Sequence, residues 1–193
     1  MYVRQTLVGL LVVFVLAMGF IALDDAKKKD DAKGLAKQEI VIGGENFKLE
    51  VAADVDTRAR GLMGRKTIDE HSGMLFIYRK SDLLSFWMKN CLTDMDIIYL
   101  DRTGKIVAMH EMKKEPVKRE DETQSQYENR LKSYPSKKLA RYVIELKPGS
   151  NIRLKLKEGD KIKLDLLKLR EIVLREERKE RLRKSQRKLP SGN

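Results

Sequence analysis

A single cysteine, Cys91, excludes an intramolecular disulfide framework, and two histidines, His71 and His110, exclude a His-rich metal site. Aromatic residues are scarce, at 6% of 193 residues, and the most basic stretch contains none to stack on bases. A phosphate loop is missing too: Gly61-Leu-Met-Gly64 has neither the Gly-Lys-Ser/Thr ending nor a long strand before it. No catalytic signature joins Cys91 to either histidine. What is abundant is charge. Lys and Arg number 41 against 29 Asp and Glu, for a formal net charge of +12. The length suits one domain with appendages and leaves little room for two cores.

The chain opens with Arg4 and then an uncharged apolar run from Thr6 to Leu23, the pattern of a signal peptide or membrane anchor. At 1.5 Å per residue, such a run sits near the lower limit for spanning a bilayer core. Residues 1–23 are therefore read as a signal peptide or a hydrophobic transmembrane helix, which places the protein outside the cytoplasm, anchored or released. Residues 24–37 carry Asp, Ala and Lys with nothing to bury, and read as a charged linker.

From Gln38 the texture becomes that of short strands. Glu39–Ile42 and Phe47–Val51 flank Gly43-Gly44, and Asp96–Leu100 and Lys105–Met109 flank Asp101-Arg-Thr-Gly104; both read as hairpins. Asp54 or Asp56 can cap a short helix through Thr57–Met63. The runs Gly73–Tyr78 and Leu83–Met88 are apolar enough for central strands, and Arg141–Leu146 and Lys161–Leu166 read as later ones. A polar insert, 112–138, has a candidate surface helix between Glu120 and Leu131. The expectation for 38–167 is a mainly β domain, a small barrel or half-barrel with one or two short helices. A basic C-terminal helix, 168–193, follows, with Leu169, Ile172 and Val173 to dock it and Glu–Lys/Arg pairs along its exposed side.

Certain blocks are specific in order and spacing: Arg60-Gly-Leu-Met-Gly-Arg65, Gly73-Met-Leu-Phe76, Phe86-Trp-Met-Lys-Asn90, Asp96-Ile-Ile, then Tyr142-Val-Ile-Glu145 and Gly159-Asp160. Over roughly residues 38–166 the chain resembles the bacterial and archaeal family called domain of unknown function 192. The resemblance implies a compact, largely β single domain, often exported, with no established activity. Two features depart from the family pattern: Cys91 stands where Thr is usual, and the 116–135 insert is longer than the usual connection.

A strand through Phe86–Lys89 would turn Trp87 and Lys89 to one side and Phe86 and Met88 to the other. With Asn90, Asp96, Arg60 and Arg65 brought near, Trp87 and Lys89 would form a site for a small anionic or sugar-like ligand. The blander use of Asn90 and Asp96 is turn capping, with Lys89 paired to Asp96. The leading expectation is thus an accessory, non-enzymatic ligand-binding module that needs no cofactor. One alternative is a hydrolase-like or thiol enzyme centred on Cys91, or on Asp94 and Asp96. Another is a Cu(I) protein using Met88, Cys91, Met95 and His110, for which core filling by Met is the simpler account. The basic tail suits an anionic membrane or cell-wall surface better than nucleic acid.

Overall fold

A computed structural model describes residues 35–186. The expected hydrophobic segment 1–23, most of the linker and the last seven residues lie outside the described residues. Among the described residues no helix is long and apolar enough to cross a membrane.

The described chain is mainly β, with a few helices. Strands β1 (Lys37–Ile42) and β2 (Glu45–Ala52) form the first hairpin, and β5 (Met95–Leu100) and β6 (Ile106–Met112) the second. Both follow from turn chemistry: Gly43 and Gly44 have φ of 57° and 86°, conformations other residues rarely adopt, and Asp101 Oδ1 accepts from the Thr103 and Lys105 amides. Strands β3 (Ser72–Asp82) and β8 (Ala140–Leu146) complete a six-stranded sheet in the order β1-β2-β3-β8-β5-β6. The β2–β3 pair is parallel and the other four are antiparallel.

The sheet does not close into the expected barrel. Strands β1 and β6 remain its two edges, and helix α4 (Leu166–Gln186) takes the place of a closing sheet. Leu169, Ile172 and Val173 of α4, with Leu154 and Ile162, pack on Leu49, Leu75, Ile98 and Ile144. That apolar face is thereby covered by a helix, as an amphipathic helix on a sheet should do. Beyond Val173 the helix turns polar: Glu177 pairs with Arg79 of β3, and Glu180 with Lys184.

Two expected strands are corrected. Leu83–Met88 is not a central strand: only β4 (Ser85–Phe86) is extended and paired, in a separate two-stranded sheet with β7 (Tyr134–Pro135). Its apolar side chains divide, with Met88 buried and Leu83 and Trp87 exposed, so the run does not need two covered faces. Lys161–Leu166 forms a single bridge, Lys161 to Lys105, although Ile162 does enter the core.

Three short helices support the loops. Helix α1 (Val55–Arg60) begins at Asp54, whose carboxylate accepts from the Thr57 amide at 2.9 Å. Helix α2 (Gln124–Arg130) lies in the polar insert and starts with a capping box of Thr123 and Gln126. Helix α3 (Ser150–Arg153) follows β8.

Candidate functional site

The second face of the sheet carries the chemistry. Across it runs one row of side chains set by strand register: Glu50, Met74, Glu145, Ile97 and His110. Glu145 occupies the centre of that row on β8, and it is buried. Its neighbour Gly73 explains how closely the strands approach there: a Cβ on Gly73 would stand 2.1 Å from the Glu145 carbonyl oxygen. Met74 and Ile97 flank Glu145 in the row, a setting that would suit a hydrocarbon side chain, yet a carboxyl stands there, and its Oε2 has no hydrogen-bond partner.

Burial raises the Glu145 pKa from 4.5 to about 8; the nearby Leu62 amide and the charge of Arg65 offset it only partly. The acid is therefore mostly neutral at pH 7, with a donor to offer. Arg65 is engaged elsewhere, since its guanidinium makes two bonds to Glu50, at 2.8 and 2.7 Å. That fork locks the loop after α1 to β2.

A cleft of about 370 Å³ runs to Glu145 between α1 and the segment after β4. Its walls include Arg58, Arg60, Phe76, Tyr78, Trp87 and Lys89, and Cys91 also lines it. Gly61 ends α1 with φ 51° and ψ −135°, and a Cβ there would meet the Phe76 ring at 3.3 Å and Glu145 Oε2 at 3.5 Å. Glycine at this position lets the backbone turn over the buried carboxyl and bring the Leu62 amide near it. Arg58 lies over the Tyr78 ring, 5.0 Å from its centroid, and donates to the Ile77 carbonyl. Lys89 Nζ stands 5.3 Å from the centre of the Trp87 ring.

The insert holds the outer wall in place. Lys89 pairs with Glu128 of α2, whose carboxylate is lowered by that bond and by Gln124. The Tyr127 hydroxyl accepts from the Asn90 amide at 2.9 Å and donates to Asn90 Oδ1 at 3.3 Å. Asn90 has φ 53°, a conformation Asn tolerates better than most side chains. The Ser136 amide donates to the Leu84 carbonyl, and Ser136 Oγ accepts from the Leu84 amide.

Of the residues singled out from sequence, Arg60, Trp87 and Lys89 are brought together on the cleft. Arg65 stands behind it, bound to Glu50. Asn90 serves the turn beside it. Asp96 belongs to the opposite face of the sheet: it is buried and accepts from the Gly149 and Asn151 amides at 3.2 and 2.7 Å. The expected turn-capping use of Asp96 describes these contacts, whereas Lys89 pairs with Glu128 and not with Asp96.

The other sequence candidates fall out differently. Cys91 is buried, its thiol is pushed up to about 12 by burial, and its sulfur donates to the Lys89 carbonyl at 3.5 Å. Neither histidine activates it, because His71 bonds Glu45 and His110 bonds the Pro135 carbonyl. Asp94 pairs with Lys113 and accepts from the Lys114 amide, so its two partners, like those of Asp96, are structural. His110 Nε2 faces a carbonyl at 2.8 Å and must carry the proton there, which leaves that nitrogen no lone pair for copper. Among the described residues no three His, Cys, Asp or Glu side chains are grouped to hold a metal ion. A second depression, of about 350 Å³ beside β6 and α3, is lined by no buried ionisable side chain.

Residues 38–164 match the family domain of unknown function 192, described as Uncharacterized ACR, COG1430. The chain belongs to this family. Among solved structures it is similar to a provisionally named transcription regulator from Sinorhizobium meliloti 1021, with a TM-score of 0.55 and 25% identity. That match covers 67% of this chain and 95% of the other. It is also similar to a protein of unknown function from Novosphingobium aromaticivorans DSM 12444, with a TM-score of 0.57 and 25% identity, covering 68% of this chain and 88% of that one. No curated protein matches the chain. Arg60–Arg65, Gly73–Phe76, Phe86–Asn90 and Tyr142–Glu145, the blocks on which the resemblance rested, each contribute residues to the lining of one cleft.

Proposed function

We propose that this member of the domain of unknown function 192 family is a ligand-binding module, and that its cleft takes a small anionic or sugar-like molecule. One observation carries the reading: cations and aromatic rings of the cleft converge on a buried carboxyl whose Oε2 is unpartnered. An unsatisfied polar atom in an apolar setting costs free energy, and such groups mark places where a partner is recruited. The Trp87 ring offers a flat face to a sugar or planar ring, and Arg60, which makes no ion pair among the described residues, supplies positive charge.

Binding is favoured over catalysis because the one thiol of the lining, Cys91, donates to the Lys89 carbonyl and is held protonated by burial. Nucleic acid is the poorer partner, since α4, the most basic element, has no aromatic side chain. The sequence supports work outside the cytoplasm, anchored or released through residues 1–23, with the basic tail turned toward an anionic membrane or cell-wall surface.

Native mass spectrometry of the full-length protein, gently purified from the cell fraction that holds it, tests this. A bound mass present on the wild type and lost from Trp87→Ala or Lys89→Ala is the expected result. A bare protein, or a bound mass indifferent to both substitutions, overturns the cleft as the binding site.

A further inference from the structure

We infer that the cleft selects a small ring-bearing carboxylate, and that Glu145 donates the hydrogen bond that holds it. The inference rests on the binding-cleft reading above and names its ligand class. Glu145 lines the cleft, and its Oε2, shielded from solvent beside Gly61, has no partner, so a ligand group that reaches it satisfies an atom otherwise left unpaired. The lining then sets the ligand's sign. Arg58 and Arg60 bring positive charge from α1, and Lys89 adds a cation already balanced by Glu128. Glu145 is the only carboxyl in that lining. A carboxylate entering there meets the cations of the lining and the acid hydroxyl of Glu145, both of which favour the anion. The Phe76, Tyr78, Phe86 and Trp87 rings line the same cleft and suit a ring on the ligand.

A competing occupant, a cation caged by those same rings, would require Glu145 ionised. The two are told apart by pH. From β3 and β5, Tyr78 and Tyr99 face Glu145, and both are raised by burial. From the segment after β4, Cys91 is raised to about 12, and Glu128 of α2 is lowered by its bond to Lys89. Arg65, behind α1, contributes a fixed positive charge. Of the acids in this cluster, Glu145 alone changes charge between pH 6.5 and 9.

The sign follows directly. Ionising Glu145 removes the donor and places a negative charge against the bound anion, so carboxylate affinity is full below about 8 and falls above it. One proton lost over one pH unit past that value weakens binding about tenfold.

The test titrates the full chain calorimetrically with benzoate and, separately, with benzyltrimethylammonium, a cation of similar ring whose charge does not titrate. Benzoate is expected to bind about tenfold more weakly at pH 9 than at pH 6.5, while Glu145→Gln, which keeps a donor and loses the titration, binds benzoate equally at both. Benzoate affinity without pH dependence in the wild type overturns the role of Glu145, as does benzyltrimethylammonium binding that tightens with pH. Binding of neither probe overturns the ligand class. The cleft reading is judged separately, by the mass the protein retains from its cell and by whether Trp87→Ala loses it.

Discussion

Replacing Glu145 by glutamine removes one titrating oxygen from the centre of the sheet while keeping volume and a hydrogen-bond donor. The folded state holds this carboxyl at about 8 against an ordinary 4.5. The neutral acid is the form that fits, so its favourable contribution is complete below pH 4.5. Between 4.5 and 8 the unfolded chain releases a proton that the folded chain keeps, and stability declines by about 1.4 kcal/mol per pH unit. Above 8 the decline stops, after a total on the order of 4–5 kcal/mol. At pH 7 the burden is about 3 kcal/mol, a large share of the stability of a small domain. Urea unfolding of wild type and Glu145→Gln from pH 5 to 9 reads the effect. The difference between the two should grow in favour of the variant up to pH 8 and then level off. Taking the difference cancels the groups both proteins share, such as the lowered Glu50 and Asp101. A difference that stays constant from pH 5 to 8 would refute the assignment of a neutral, buried Glu145.

Two further outcomes follow from the contacts described. Asp96→Asn leaves one acceptor oxygen for the two amides of Gly149 and Asn151 and turns an amide donor toward the other; denaturation should show a loss of about 1–3 kcal/mol, with ligand retention in native mass spectra unchanged. Leu169→Ala, at a residue 2% exposed in the sheet-covering helix, should cost about 2–4 kcal/mol, whereas Leu182→Ala, 57% exposed on the same helix, should change stability by less than about 0.5 kcal/mol; equal effects would show that α4 does not dock through its first half.

Local grammar made much of this fold legible. The Gly43-Gly44 and Asp101–Gly104 hairpins and the docking triad of α4 each depend on residues close in sequence and stand where the pattern placed them. Of the two candidate caps, Asp54 and Asp56, the structure uses Asp54, for a helix that starts and ends earlier than expected. Strand order did not show itself, because the parallel β2–β3 pair and the insertion of β8 between β3 and β5 are decided by tertiary contacts. The apolar run Leu83–Met88 misled for a related reason: Met88 is buried, but Leu83 and Trp87 are exposed and only Ser85–Phe86 pairs with another strand. Trp87, Lys89 and Arg60 were found through an unusual mixture of aromatic and cationic residues. Glu145 was missed as a site residue because it was read only as part of a later strand and of the family-like block Tyr142–Glu145. Its signal was present: one acid between Ile144 and Leu146 in a strand buried on both faces.

The wall that bears Trp87 and Lys89 is fastened less to the sheet than to the insert: Glu128, Tyr127, Ser136 and the β4–β7 pair all reach it from there. Floor and wall therefore belong to different parts of the chain. The floor is bound into strand register, where a changed residue disturbs the whole sheet. The wall hangs on a surface excursion that can lengthen, shorten or change composition without unpairing a single core strand. A change in the insert would therefore reshape the entrance of the cleft while leaving Glu145 in its register on the sheet.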